Sequence, residues 1–374
     1  MARLYLDYNA STPTDPDVAA AMRPLLADGY GNPSSGHWAA LPAKAALETA
    51  RSQVAALLGC APDEIVFTSG GSEANNLALK GICSAPHDGP THIITSAIEH
   101  PAILEPCRYL SRLGVTVTYV PVDGAGLVDP DVVRHAVTSD TKLISVMQAN
   151  NETGTIQPIA EIAAIAHDHG IHFHTDAAQS VGKIATRVDQ LGADMLSVAG
   201  HKVYAPKGIG ALYVRRGVAI EPLIHGAGHE AGRRAGTECA LLAAGLGKAC
   251  EVAKSWIGMP AIQALRDLLW DRLKADFGNR VVLNGHPARR LPNTLNVSFV
   301  GRVGADILAA MPDVAASTGS ACHAGRVTLS PVLQAMKVAP DVGMGAIRFS
   351  LGRSTTEGEV GEVVRQLRRA VASM

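Results

Sequence analysis

Aromatic side chains are scarce in this chain: Phe, Trp and Tyr together make up 4% of its 374 residues. That leaves few platforms on which nucleobases could stack. Charge of one sign is also missing, since 33 Lys+Arg balance 34 Asp+Glu to a net −1. Without a basic field, nucleic acid is not expected as a direct partner. The six cysteines (60, 83, 107, 239, 250 and 322) include no C-x-x-C pair. Such scatter fits a reducing compartment and argues against a disulfide framework. No stretch reaches eighteen apolar residues, and "MARLYLDYNASTP" has no apolar signal core. The expectation is a soluble cytoplasmic chain with no membrane contact. Low-complexity tracts, internal repeats and long polar linkers are absent as well. So is a P-loop, and "GAGHEAG" (226–232) lacks the strand–helix context of a dinucleotide fingerprint.

What is present is a rhythm. From about residue 60, short β-rich runs alternate with helical periodicity: "EIVFT" before "SEANNLALKGI", "THIITS" before "PAILEPCRYLSRL", "VTVTYV" before "PDVVRHAV", "KLISVMQAN" before "IAEIAAIAHDH", then "IHFHTDA" and "DMLSVAG". This predicts an α/β fold with a parallel sheet and crossover helices on both faces. Near 255 the rhythm changes. Helical stretches over 238–254 and 260–277 flank "WIGMP", and "NTLNVSF" and "AIRFSL" mix with helices beyond. Length and pattern predict a large domain over 1–250 and a smaller α+β domain over 251–374, with the first twelve residues or so packing on the smaller one.

In open α/β sheets, ligands sit at the carboxyl ends of the strands. Five polar segments follow apolar runs there: "TSGGSEANN" (68–76), "AIEHPA" (97–102), "QANNETG" (148–154), "HTDAAQS" (174–180) and "AGHKVYAPKG" (199–208). Ser69-Gly70-Gly71-Ser72 opens a helix and suits either a phosphate or an ordinary N-cap. Asp176, at a strand end, either caps the next helix or holds a cation. The histidines of "HDHGIHFH" (167–174) lack tetrahedral ligand spacing and read as packing and helix-end groups. Lys202 could be a solvated surface lysine. Together, however, a lysine able to condense with an aldehyde, an acid able to hold a pyridinium and a glycine-rich helix start for a phosphate meet the needs of pyridoxal 5′-phosphate.

On these residues the sequence resembles the class V aminotransferase superfamily (pyridoxal-phosphate fold type I) and, within it, the cysteine desulfurases of the NifS/IscS type. The resemblance runs over nearly the whole chain, through "YLDYNASTPTDP", "GNPSSGH", "FTSGGSEANNLALKG", "IEHPAI", "NNETGTIQPI", "HTDAAQSVGK", "SVAGHKVYAPKGIGALYVR", "RRAGTE", "STGSAC" and "IRFSLGRSTT". It implies a large domain with a mostly parallel seven-stranded sheet and a smaller α+β carboxyl-terminal domain carrying a catalytic cysteine loop. It further implies that Lys202 bonds the cofactor aldehyde, Asp176 pairs with the pyridine nitrogen and Gln179 bonds the ring hydroxyl. His100 would stack on the ring and assist proton transfer, while Gly71, Ser72 and His201 would hold the phosphate. Thr237 would reach the phosphate bound in a partner subunit, giving a homodimer with shared sites. Asn9, Asn151 and Arg348 would grip the substrate carboxylate, and Cys322 would be the nucleophile.

The chain departs from the family pattern in two places. Ala199 stands where many relatives have serine, and "GAGHEAGRRAGTE" replaces the commoner "GGGQER" run. The expected reaction converts L-cysteine to L-alanine, with sulfur passing through a persulfide on Cys322 to an iron–sulfur scaffold or a tRNA-thiolation protein. The alternatives are a selenocysteine lyase, suggested by Cys322-His323, and a class V aminotransferase or lyase without persulfide chemistry.

Overall fold

Runs of β-branched and other apolar residues, bounded by turn formers, become strands. The computed structural model describes residues 3–85, 89–318 and 328–372. Its strands, in chain order, are β1 (Leu4–Tyr5), β2 (Ile65–Thr68), β3 (His92–Ser96), β4 (Thr116–Val120), β5 (Thr141–Ser145), β6 (His172–Asp176), β7 (Met195–Ala199), β8 (Gly210–Val214), β9 (Val281–Asn284), β10 (Thr294–Phe299), β11 (Val314–Ala315) and β12 (Ala346–Ser350). Seven form one sheet in the order β2-β8-β7-β6-β5-β3-β4. All neighbours are parallel except β8, which runs antiparallel to both β2 and β7. The mostly parallel seven-stranded sheet is therefore as expected. The placement of "GALYV" as its one reversed strand, and the helix Leu41–Leu58, were not anticipated.

Period-2 alternation divides the sheet between two cores. Ile94, Ile144, Phe173 and Leu196 face a cluster shared with Val54 and Leu58 of helix Leu41–Leu58 and with Leu246 of helix Ala240–Ala253. Their sequence neighbours Ile93, Leu143 and Met195 face the other side, against Leu77 and Ile103 of helices Gly71–Ser84 and Pro101–Ser111. On the first face two helices meet at small residues. A Cβ on Gly247 would lie 2.5 Å from Ala50 Cα, so only glycine permits that approach.

A three-stranded antiparallel sheet, β12-β10-β9, packs with helices Pro260–Phe277 and Glu357–Ala372 over a separate core. Leu4 and Leu6 belong to that core, and β1 pairs in parallel with β11. Val332, Leu333, Met336 and Ala346 instead join the first core, so the carboxyl-terminal segment is tied into both. No helix among the described residues is long and apolar enough to cross a membrane.

Candidate active site

Because β2, β3, β5, β6 and β7 run in one direction, their carboxyl ends share one edge of the sheet. The five polar segments lie there, around a crevice of about 640 Å3. Ten expected site residues line it: Asn9, Gly71, Ser72, His100, Asn151, Asp176, Gln179, His201, Lys202 and Arg348. Thr237 does not. It is exposed beside a separate cavity of about 90 Å3, which shares Ser69, Gly208 and Ile209 with the crevice. Cys322 and His323 lie outside the described residues.

The turn after β2 makes the anion cradle. Gly70 has φ +155° and ψ −178°, a conformation that side chains avoid, and it turns the chain into the helix at Gly71. The N–H groups of Gly71 and Ser72 have no backbone acceptor among the described residues, and the helix dipole adds positive character at this end. Ser69 N–H is already used, donating to Glu73 Oε2 at 2.7 Å, while Arg234 Nε donates to Glu73 Oε1 at 2.8 Å. That ion pair fastens the 226–238 loop to the cradle. A Cβ on Gly71 would meet the Ala199 methyl at 3.1 Å, so Ala199 closes this side with a methyl and offers no hydroxyl.

Asp176 ends β6, buried. Asn75 Nδ2 donates to its Oδ2 at 2.7 Å and Ala178 N–H to its Oδ1 at 2.9 Å. It caps a turn rather than a helix, and no cation among the described residues pairs with it. Two residues earlier on the same face, His174 bridges Ser145 and Ser197 on the flanking strands, at 2.8 and 3.0 Å. Burial pushes its pKa down to about 4, so its ring is neutral at pH 7. Glu99 lies deeper, accepting from Ser96 Oγ at 2.7 Å and Met147 N–H at 2.9 Å. Burial, with Asp176 adding to it, lifts Glu99 to about 8, so this carboxyl is protonated at neutral pH.

Lys202 is half-buried in the tight turn Gly200–Lys202 that follows β7, and Nζ makes no hydrogen bond among the described residues. Burial lowers its pKa; Arg348 acts in the same direction, and Asp176 and Asp7 oppose it. A depressed lysine is a better nucleophile at neutral pH. His100 caps helix Pro101–Ser111, its Nδ1 accepting from Ala102 N–H at 3.1 Å. That role puts the neutral ring's proton on Nε2, and burial, reinforced by Lys202, lowers the pKa and so favours the neutral ring. Burial likewise lowers His201 to about 4.

The other wall comes from the chain's two ends. Arg348 of β12 donates to Asn151 O at 2.9 Å and to Asp7 Oδ1 at 2.6 Å, and its Nε has no partner among the described residues. No hydrogen bond of the Asn151 side chain occurs among the described residues, leaving its amide available to the crevice. Asn9 differs from the expectation of a carboxylate grip. Its Nδ2 already donates to Thr294 Oγ1 at 2.8 Å and Asn151 O at 3.3 Å, and its Oδ1 accepts from Lys183 and Asn293. With both donor hydrogens committed, Asn9 braces the wall and has none left for a ligand.

Sequence reading missed Asn75, Glu99 and Lys183. Asn75 was detectable, standing four residues beyond Gly71 on one helix face. Nothing in the pattern marked the other two.

The arrangement is an anion cradle, a buried acceptor and a depressed lysine around one crevice. The aminotransferase class-V profile matches residues 4–363. The chain is 45% identical over 375 residues to the cysteine desulfurase IscS of Dictyoglomus turgidum, covering 99% of this chain and 95% of that one. The chain belongs to the class-V aminotransferase family. Within it, its similarity is to the cysteine desulfurases. A solved NifS-like protein superposes with a TM-score of 0.92 at 36% identity over the full length of both chains. Another, solved as SspA in complex with cysteine, gives 0.84 at 39% identity over 93% of this chain and 98% of its own. The mostly parallel seven-stranded sheet with helices on both faces is thus the family's fold.

Proposed function

We propose that the chain is a pyridoxal 5′-phosphate-dependent cysteine desulfurase that converts L-cysteine to L-alanine and carries the sulfur on Cys322. The observation that supports it most is the presence, around one crevice, of a depressed lysine and a buried carboxylate that among the described residues is held only by neutral donors. Asp176 has acceptor capacity left for a protonated ring nitrogen, and the N–H groups of Gly71 and Ser72 have capacity for a phosphate, joined by the Ser72 hydroxyl. The residues therefore fit the cofactor. When bound, it supplies an aldehyde carbon for amine condensation and a ring that draws electrons from the substrate α-carbon.

With its amine free, Lys202 would take the substrate α-proton, and its depressed pKa suits that work. Neutral His100 offers an N–H and a face to the crevice. Asn151 and Arg348 orient the substrate carboxylate, with Asn9 holding Asn151 in place. The Cys322 thiolate then attacks the substrate sulfur. An S–S bond would form as the Cβ–S bond breaks, and the carbon fragment would take up two protons, one at Cβ and one at Cα in place of that removed by Lys202, and leave as L-alanine. The persulfide sulfur passes to an acceptor protein, an iron–sulfur scaffold or a tRNA-thiolation protein.

We further take the working form to be a cytoplasmic homodimer, with residues 1–250 forming the cofactor-binding domain and 251–374 the small domain. Leu26, Tyr30, Trp38 and Leu41 are 62–76% exposed within sixteen residues, an apolar stretch that supports burial by a second copy. The exposure of Thr237 supports its service to that copy's phosphate.

The test is a side-by-side assay of L-cysteine and L-selenocysteine with native protein and Cys322→Ser. The variant keeps size but replaces a thiolate with a hydroxyl that is protonated at neutral pH. It should bind cofactor and substrate, carry no persulfide, and lose roughly 10²-fold or more of alanine release from L-cysteine. Full desulfurase activity in the variant would sink the persulfide route. Activity surviving only with selenocysteine would favour the lyase reading.

A further inference from the structure

Lys183 is a charged group in an unlikely place. It is 5% exposed, and no carboxylate among the described residues forms an ion pair with it. Its amine donates instead to two amide oxygens, Asn9 Oδ1 and Gln179 Oε1, each at 3.1 Å. The surrounding charged and titratable groups bring it no compensation: Lys202 and Arg348 are cationic, and Tyr8, Tyr204 and Arg353 line the small gap it shares with Lys202. Burial, with the charges of Lys202 and Arg348, lowers its pKa to about 7. The chain nevertheless folds to admit it. Gly182 has φ +74°, and a Cβ there would come within 2.8 Å of Val203 Cγ2 and 2.9 Å of the Ala253 methyl. Only glycine lets the turn close this far, and Gly258 N–H then fastens the Lys183 carbonyl at 2.8 Å.

The amide of Gln179 shows what the arrangement achieves. An amide has an accepting end and a donating end of nearly equal shape, so its orientation is set by its partners. Here Oε1 accepts from Lys183, and one Nε2 hydrogen goes to Asn9 O at 3.0 Å. The second Nε2 hydrogen remains, on a residue that lines the crevice. While Lys183 is protonated, rotating the amide by half a turn would set its NH2 against the ammonium, donor against donor, and its oxygen against the Asn9 carbonyl, acceptor against acceptor. We propose that Lys183 is a positioning residue that locks Gln179 with its NH2 toward the crevice, so that the site selects an anionic oxygen on its ligand. The inference rests on the cofactor reading above, in which that oxygen is the ring oxygen of the pyridoxal group.

A donor held on that oxygen favours its anionic state, so losing the lock should make the bound chromophore hold its proton more tightly. The experiment compares native protein, Lys183→Met and Lys183→Gln, each loaded with pyridoxal 5′-phosphate, by titrating the visible absorption band against pH. Lys183→Met should raise the midpoint tenfold or more in proton affinity, and weaken cofactor binding. Lys183→Gln keeps a neutral donor for Oε1 and should stay within about threefold of native. An unmoved midpoint in Lys183→Met would overturn the proposal. So would an equal change in both variants, which would assign the effect to charge and not orientation. Should Lys183→Met fail to fold, Lys183→Gln decides alone, since a tenfold gain in proton affinity there refutes the lock. Native protein that binds no pyridoxal phosphate at all would refute the cofactor reading instead.

Discussion

The carboxyl ends of β6 and β7 line the crevice, whereas the 226–238 loop stands outside it, tied to the rim through Glu73, and the two are built on opposite plans. Asp176 and Lys202 sit at the ends of central strands flanked on both sides, and their positions follow from the sheet. In the loop, Glu230 and Ala231 have φ of +50° and +56°, and Thr237 is exposed near its carboxyl end. The loop is held by ion pairs: Arg234 to Glu73, and Arg51 to a buried Glu230 at 2.8 Å. Strand ends thus place groups that one chain can use unaided. A strained, exposed loop pinned by charge is suited to presenting a group outward, to a second copy.

Substitutions can break or sharpen that contrast. Lys202→Ala, at the strand-end extreme, should abolish turnover by at least about 10³-fold while leaving some cofactor bound through the cradle and Asp176. Borohydride reduction and peptide mapping of native protein should label Lys202, and a label on Lys183 or Lys207 would reassign the amine. Asp176→Ala should cost less in binding than in chemistry. Cofactor remains measurable, yet α-proton exchange with solvent, followed by NMR, should fall by roughly 10²-fold or more. Near-native exchange would give the ring nitrogen another partner.

Thr237→Ala should have a milder and different effect. One hydrogen bond to a charged group is worth about 1.5–3 kcal/mol, so cofactor affinity should fall roughly tenfold to hundredfold. Mixing the variant with Lys202→Ala protein should restore activity in hybrid dimers if Thr237 serves the partner's site. No restoration would confine it to its own.

The smallest effect belongs to Glu99, behind the strand ends. Its pKa is raised from 4.5 to about 8, so the folded state binds more protons than the unfolded state between those values. Its stability contribution is then full below pH 4.5 and is lost as pH rises toward 8. Glu99→Gln keeps the hydrogen-bonding shape and should flatten the fall in Tm across pH 5–8, with little change in activity. An unchanged pH slope would show that Glu99 ionises normally.

Legibility in the sequence followed the same division. The strand-end segments were readable because a buried parallel strand is an apolar run, and the first polar residues beyond it must lie at the sheet's edge. Direction was not readable, because "GALYV" as an apolar run looks the same parallel or reversed. Only its pairing with β2 and β7 settles that. The second layer was hidden for another reason. Lys183 and Glu99 are ordinary charged letters until burial changes their chemistry, and burial depends on residues far away in the chain. Asn9 is a different case: the resemblance implied a grip on the substrate carboxylate, and the residue does line the crevice, but its commitment to Thr294, Asn293 and Lys183 was beyond any local pattern.

One wall of the crevice also sets a clock on the molecule's making. Asp7 meets Arg348, and the two lie 341 residues apart. β1 waits for β11, and Asn9 waits for Thr294. On a ribosome adding about 5–20 residues per second, Asp7 emerges roughly 20–70 s before its partner. The seven strands of the sheet can assemble in that interval, with Lys202 already in its turn. The opening stretch can meanwhile dock on that sheet, Thr12 N–H on His201 O and Asn9 on Gln179 and Lys183, but the wall that Arg348 completes does not yet exist. A nascent chain can therefore set Lys202 in its turn well before Arg348 arrives, and the crevice lacks that side until synthesis is almost complete.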